Sequence, residues 1–301
     1  MNDEKTTTST SEPSSKIYNN NPFFLAVDGI ELLFKYAKPI AITMLTVSII
    51  LTAMSWFSGS APDSAGALSG SQDASSTFAA TNPFQGGNFE LGGVAIVIGV
   101  IIALAVMAGI TLFMIFVAGI MDFTASSSAQ KKTITLRDAF AGVGDRFWPY
   151  IKLRVLIAIK TFLWTLLFVI PGIYFANRYK LAGVAFFAEN KTGNTAIKES
   201  LALTKNAWIT TFATYGFLNL ITFGAIQILV DTGASAKLYR NYRKTVDTSA
   251  SHPDAHWISW VFLVGLFGLL VLLALIIIVA VASFDPAQFQ NMPADQPTWT
   301  T

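Results

Sequence analysis

The chain has 301 residues, 53% of them hydrophobic and only 13% charged, and its 20 Lys and Arg against 18 Asp and Glu leave a formal net charge of +2. Soluble domains carry about 25% charged residues. The composition therefore excludes a conventional soluble enzyme and a disordered polyelectrolyte, and the near-neutral balance argues against nucleic-acid binding.

Residues 1–22 are polar and read as a disordered cytoplasmic tail without the apolar core of a signal peptide, so the first hydrophobic span is expected to be an uncleaved anchor. Stretches free of Asp, Glu, Lys and Arg follow at 39–62, 91–121, 161–177, 206–230 and 255–284. A membrane-crossing helix needs about 20 apolar residues, because each rises ~1.5 Å through a ~30 Å core. The first, second and fifth stretches meet that length and predict spans. The second is longer than a crossing requires. It also spaces Gly99 from Ala103 and Ala105 from Gly109 by four residues, with Gly119 further on, a pattern that lets helices approach closely.

Charge placement orients these spans. The loop 58–90 is rich in Gly, Ser and Ala and has no Lys or Arg; the tail 285–301 has none either. Segment 122–154 carries Lys131, Lys132, Arg137, Arg146, Lys152 and Arg154, and segment 231–256, which ends in a polar loop at 246–256, carries Lys237, Arg240, Arg243 and Lys244. The positive-inside rule puts both basic segments and the N-terminus in the cytoplasm, and the loop 58–90 and the C-terminal tail outside.

Segment 178–208 is basic as well, with Arg178, Lys180, Lys191, Lys198 and Lys205. Single crossings by 161–177 and 206–230 would put it outside, against the rule. A turn at Pro171-Gly172, where proline removes a helix donor and glycine frees the backbone, resolves the conflict with a return helix over 173–189. A second hairpin then turns at Thr222-Phe223-Gly224. The expected architecture is an all-α polytopic bundle of six spans, with 257–284 as an added seventh; without the 171–172 hairpin there are five. Arg178 and Lys180 would lie at membrane depth, and a pair of either with Asp231 would offset part of the ~2.5–3.5 kcal/mol that each intramembrane charge costs. Stretches 31–40, 145–154 and 203–211 each combine basic and aromatic residues before an apolar span. They predict three helix–hairpin units within 23–245, each introduced by an interfacial amphipathic helix.

A resemblance follows from Ile170-Pro171-Gly172-Ile173-Tyr174, then Arg178, Lys180 and Glu189, then Ala196, Glu199-Ser200, Leu203-Thr204 and Trp208. This order resembles the membrane-domain family of glycerophosphodiester phosphodiesterases and the YciC-like bacterial integral membrane proteins of unknown function. The resemblance implies a six-helix layout, from which 257–284 departs. It implies no catalytic activity, because the soluble metal-binding barrel of such phosphodiesterases has no counterpart in this chain.

Few residues look chemical. There is no cysteine, which excludes thiol chemistry and Cys-ligated metals. His252 and His256 have a metal-like spacing around Asp254, but Pro253 disfavours a helix and the segment reads as a solvated loop. Ser128 and Lys131 match a nucleophile pair only by chance spacing. Lys160, Arg178, Lys180, Glu189 and Asp231 are either functional intramembrane charges or snorkelling ones. A short helix over 195–205 would turn Ile197 and Leu201 to lipid and Lys198 and Lys205 to headgroups, with Ser200 packing or capping rather than attacking.

The expected role is that of a plasma-membrane protein of the bacterial inner-membrane type, without a catalytic site or cofactor, serving membrane homeostasis, lipid association or assembly. Its expected partners are the bilayer and other membrane proteins or a second copy, not nucleic acid. The other reading is a transporter or channel-like protein with a polar site around Arg178, Lys180 and Asp231.

Overall fold

The structure, a computed structural model, describes residues 18–59 and 89–283, with side chains over 18–55 and 97–283. Most of the expected tail 1–22, nearly all of the loop 58–90 and the tail 285–301 lie outside the described residues. The helices are α1 (Pro22–Tyr36), α2 (Lys38–Gly59), α3 (Phe89–Ala129), α4 (Leu136–Gly144), α5 (Phe147–Leu167), α6 (Val169–Tyr179), α7 (Ala182–Ala188), α8 (Gly193–Leu203), α9 (Trp208–Ile221), α10 (Gln227–Asp247) and α11 (Trp257–Ala282).

Helix starts follow local chemistry. Asn21 caps α1 by accepting the Phe23 N–H, with Pro22 in the first position. Pro39, Pro149 and Pro171 all sit in the first turn of their helices, where no intrahelical donor is required. Pro171 also dictates where α5 stops. A continuous helix would need its N–H for the carbonyl of Leu167, and Leu167 is the last residue of α5. The chain reverses at Phe168, which is extended at φ −158° and ψ 139°. The turn therefore precedes the expected Pro171-Gly172, and that pair opens α6 instead. Gly172 lets α6 fold tightly onto α5: a Cβ there would lie 2.3 Å from Thr165 Oγ1. Trp164 stacks on Phe175 at 4.3 Å and closes the hairpin. The expected return helix 173–189 is broken after Tyr179 into α6 and α7. The second reversal falls at Phe223 and Gly224, both left-handed at φ 49° and 74°, and α10 then runs on to Asp247.

The core forms around the crossing of α1 and α10. A Cβ on Gly29 would stand 2.3 Å from the Gly233 carbonyl oxygen, so only two glycines allow the backbones to touch. Leu25 and Leu33 of α1 are fully buried. One face of α1 is therefore core. The same holds for α8, whose Ile197 packs with Tyr150 and Leu153 inside the bundle instead of facing lipid. Tyr18 and Asn20 are likewise not part of a free tail. The Tyr18 hydroxyl lies 3.2 Å from His252 Nδ1, and buried Asn20 donates to the Asp254 carbonyl.

Outside this core the helices carry bare apolar surface. Residues 97–114 of α3 and 269–283 of α11 are exposed throughout. Three helical segments, Lys38–Ser55, Val97–Ala129 and Trp257–Ala282, are long and apolar enough to cross a membrane. Apolar area of this extent favours hydrocarbon over water at roughly 25 cal/mol per Å². The hairpin tips, Leu166 to Ile170 and Leu220, Ile221 and Phe223, are exposed and apolar too. With 14 residues, α9 is about 21 Å long, short of a full crossing. Helix α11 docks on α9 where the Phe262 ring meets Gly216. On α3, Gly119 meets Val143 and Tyr150, whereas Gly99 and Gly109 have nothing within 4 Å.

Gly29→Val overpacks the crossing and should destabilise the protein by about 1–3 kcal/mol or more. Thermal unfolding of purified protein checks this, with Gly99→Val expected to leave the transition in place.

Candidate functional site

Asp122 is a carboxylate in the end of α3 that the bundle buries. Tyr150 and Arg154, one turn apart on α5, both reach it. The Tyr150 hydroxyl donates to Asp122 Oδ2 at 2.6 Å and Arg154 Nη2 does so at 2.7 Å. Arg154 Nε donates to the Tyr150 oxygen at 2.6 Å, which closes a triangle of charge-assisted bonds. Gly183 of α7 lies directly against this carboxylate. A Cβ there would fall 1.6 Å from Oδ2, so the absence of a side chain is what admits the charge.

Beside the triangle lies a cavity of about 280 Å³ among α3, α5, α6, α9 and α10, lined by Asp122, Arg154, Lys180, Tyr215, Asp231 and Ser235. Lys180 stands exposed at its mouth, with Nζ 4.3 Å from the centroid of the Tyr215 ring. Its charge acts on both Asp122 and Asp231. Asp231 Oδ1 accepts from Asn219 Nδ2 at 2.9 Å. The Tyr215 hydroxyl and Ser235 Oγ are 2.7 Å apart, and Ser235 also donates to the Asp231 carbonyl. Two carboxylates and two cations thus border one polar cavity.

Of the pairs expected from the sequence, Lys180 and Asp231 share this cavity. Arg178 does not join them. Its guanidinium donates to the Leu201 carbonyl at 2.5 Å and the Tyr174 hydroxyl at 3.0 Å, stapling α6 to the last turn of α8. A helix C-terminus offers unpaired carbonyls and a partial negative charge, which is why the arginine settles there. Ser200 is fully buried and donates to the Arg178 carbonyl at 2.6 Å, so it packs and bonds at that joint. Trp208 opens α9 and meets the Tyr174 ring edge-on at 5.2 Å. Lys160 donates to Asn194 Oδ1 at 2.7 Å, away from the cavity. Pro171 and Gly172 belong to the α5–α6 turn.

Glu189 and Glu199 belong to a second charged cluster. Lys191 bridges both carboxylates, Arg243 contacts them at 3.1 and 2.8 Å, and the Tyr239 hydroxyl donates to Glu189. Burial alone would raise the Glu189 carboxyl, but the bonds from Lys191 and Tyr239 and the charges of Arg243 and Lys191 outweigh it and hold the group below its ordinary value.

The histidines do not converge. His252 packs against the Tyr242 ring, and burial keeps its imidazole below the ordinary range. His256 accepts the Ile258 N–H and caps α11. Among the described residues no group of three or more His, Asp or Glu side chains is placed to hold a metal ion. Ser128 is buried with its hydroxyl unpartnered and Lys131 is exposed; the bond between them is a backbone one, from the Lys131 N–H to the Ser128 carbonyl at 3.0 Å.

Asp122, Tyr150, Arg154, Tyr215 and Arg243 were not singled out from the sequence. Asp122 marks the end of an uncharged stretch, and a boundary charge reads as interfacial. The one available signal was the four-residue spacing of Tyr150 and Arg154, which puts both on one helix face. No family model matches the chain, and no curated protein or solved structure matches it.

Arg154→Met leaves the Asp122 carboxylate without its counter-charge and should cost about 3–5 kcal/mol, most of it regained in the Asp122→Asn/Arg154→Met double variant; a double-mutant cycle on chemical unfolding reads the coupling. For Glu189, the lowered folded value means that its stabilisation is complete above the ordinary Glu value of about 4.3 and is lost as pH falls through the folded value. Unfolding followed from neutral to acid pH should show that loss in the wild type and a flatter acid limb in Glu189→Gln.

Proposed function

We propose that the chain is a multi-pass membrane protein whose three helical hairpins, α2–α3, α5–α6 and α9–α10, enclose a binding site for a small polar solute and allow its passage. The observation that carries this reading is the charged cavity itself. Each charge inside a membrane bundle costs about 2.5–3.5 kcal/mol on insertion scales and more by other estimates, so such groups face cavities and mark pathways. Four of them border this one cavity. The Asp122–Arg154 pair is closed on itself, while Lys180 at the mouth and Asp231 within have no ion-pair partner among the described residues. That arrangement suits a solute carrying both an anionic and a cationic or hydrogen-donating group.

Binding rather than catalysis is favoured because Ser235 Oγ spends its bonds on Tyr215 and a backbone carbonyl, with no general base bonded to it among the described residues. The hairpin layout is supported by the element order. Stretches 31–40, 145–154 and 203–211 each span the joint between a short helix and the first arm of a hairpin. This favours three repeated hairpin units with basic ends in the cytoplasm and α11 as an added crossing, with α6 and α9 as arms shorter than a full crossing, in keeping with the motif at 170–208.

A second reading, a lipid-associated or assembly component of the membrane, is favoured by one observation: α3 stays bare over 97–114, including the open faces of Gly99 and Gly109.

Single cysteines test the topology in a chain without native ones. Thr192→Cys and Ser251→Cys should resist a membrane-impermeant thiol reagent until cells are lysed, and Ser71→Cys should label at once. Labelling of position 192 in intact cells would remove the α5–α6 crossing. For the site, purified protein is screened by thermal shift against amino acids, organic acids and amines. Stabilisation by one class, lost in Lys180→Met and Asp231→Asn but kept in Lys198→Gln, supports the solute site. Stabilisation equal in all variants would sink it.

A further inference from the structure

We infer that a second cavity, at the end of the bundle where α2 begins and α3 ends, binds the phosphate of an acidic phospholipid headgroup. This cavity of about 280 Å³ is lined by Asp28, Glu31, Lys35, Lys131, Lys237 and Arg240, among others. Four cations thus face two carboxylates. Asp28 is already spent on Lys237 at 2.7 Å. Lys35, Lys131 and Arg240 have no carboxylate within 4.0 Å among the described residues, leaving Glu31 as the only other acid of the lining. An excess of positive charge therefore converges on one concave space, beyond what the two acids of its lining offset among the described residues.

The cavity is built rather than incidental. Lys131, two residues past the end of α3, is left-handed at φ 61°, and the next turn is pinned by a bond of 3.0 Å from the Ile134 N–H to the Tyr36 carbonyl. That bond holds the end of α3 beside the end of α1, so Lys131 and Lys35 share one rim. Arg240 comes from α10, which the Gly29–Gly233 contact presses onto α1.

Its level identifies the ligand. The apolar segment Lys38–Ser55 begins just after Lys35 and Tyr36, and Val97–Ala129 ends just before Lys131. The start of α2, a helix of single-crossing length, sets the rim at the depth of lipid phosphates; α3 is longer than one crossing and does not fix the level by itself. Basic pockets between helices at that depth recognise anionic headgroups, and each Lys or Arg near an anionic surface contributes about fivefold in affinity. This inference rests on α2 and α3 entering the membrane, but not on the solute site.

The test uses the full chain in mixed phosphatidylcholine and phosphatidylglycerol, with bound lipid counted by native mass spectrometry and melting followed in parallel. Phosphatidylglycerol should be retained in preference and raise the melting temperature. Lys131→Gln and Arg240→Gln should each weaken that retention about fivefold, while exposed Lys198→Gln leaves it unchanged. Lys131 is exposed, so its variant keeps the fold even if the half-buried Arg240 variant does not; circular dichroism verifies this. No preference for the acidic lipid, or equal weakening by Lys198→Gln, overturns the site. Inorganic phosphate stabilising the detergent-solubilised protein as strongly as the lipid overturns the lipid assignment in favour of a soluble anion, whether or not the solute site stands.

Discussion

The architecture depends on the contact between two glycines. Helices packed through ordinary side chains keep their axes about 8–10 Å apart. At Gly29 and Gly233 the backbones of α1 and α10 touch, and α10 becomes a strut through the bundle. Along its length it carries Asp231 to the polar cavity, Lys237 to Asp28, and Tyr239 and Arg243 to the cluster around Glu189. Widening that one crossing would displace three charged sites together.

Around the strut, charge is handled in two ways. Some ions have several partners even beside a cavity: Asp122 is held by Tyr150 and Arg154, and Glu189 by Lys191, Tyr239 and Arg243. Groups withdrawn from water need that many bonds, since an isolated pair rarely repays its desolvation. Others beside the same cavity as Asp122 are left with fewer, as at Lys180 and Asp231. Fully bonded charges tie helices together, whereas incompletely bonded ones at a cavity are available to something that enters it.

The hairpins differ in a way that bears on access. Helix α5 has 21 residues and α9 has 14, lengths of about 31 and 21 Å. The α9–α10 tip, with Phe223 exposed, falls short of the depth α5 can reach. Tyr215 and Asp231 are near that shorter tip, while Arg154 lies well below the tip of α5. The cavity therefore lies toward the tip of the hairpin whose first arm is the shorter of the two.

Apolar runs were legible from the sequence because lipid-compatible length is a local property: α2, α3 and α11 lie where uncharged stretches of sufficient length predict them. Turns set by backbone chemistry were nearly as legible. The reversal at Phe223-Gly224 was visible, and Pro171 displaced the other by only a few residues because proline acts on the carbonyl four residues earlier. Charge partnership was not legible. Asp122 looked like a boundary and Arg178 like a site residue, yet the fold buries the first against Gly183 and spends the second on the end of α8. The same holds for the faces of α1 and α8, whose apolar stripes suit lipid and core equally well. Which hydrocarbon a stripe meets, and which ion a charge meets, depends on segments far apart in the chain. The sequence by itself determined the apolar helices and their breaks; only the tertiary structure decided which charges meet, because a pairing energy exists only once two distant helices are side by side.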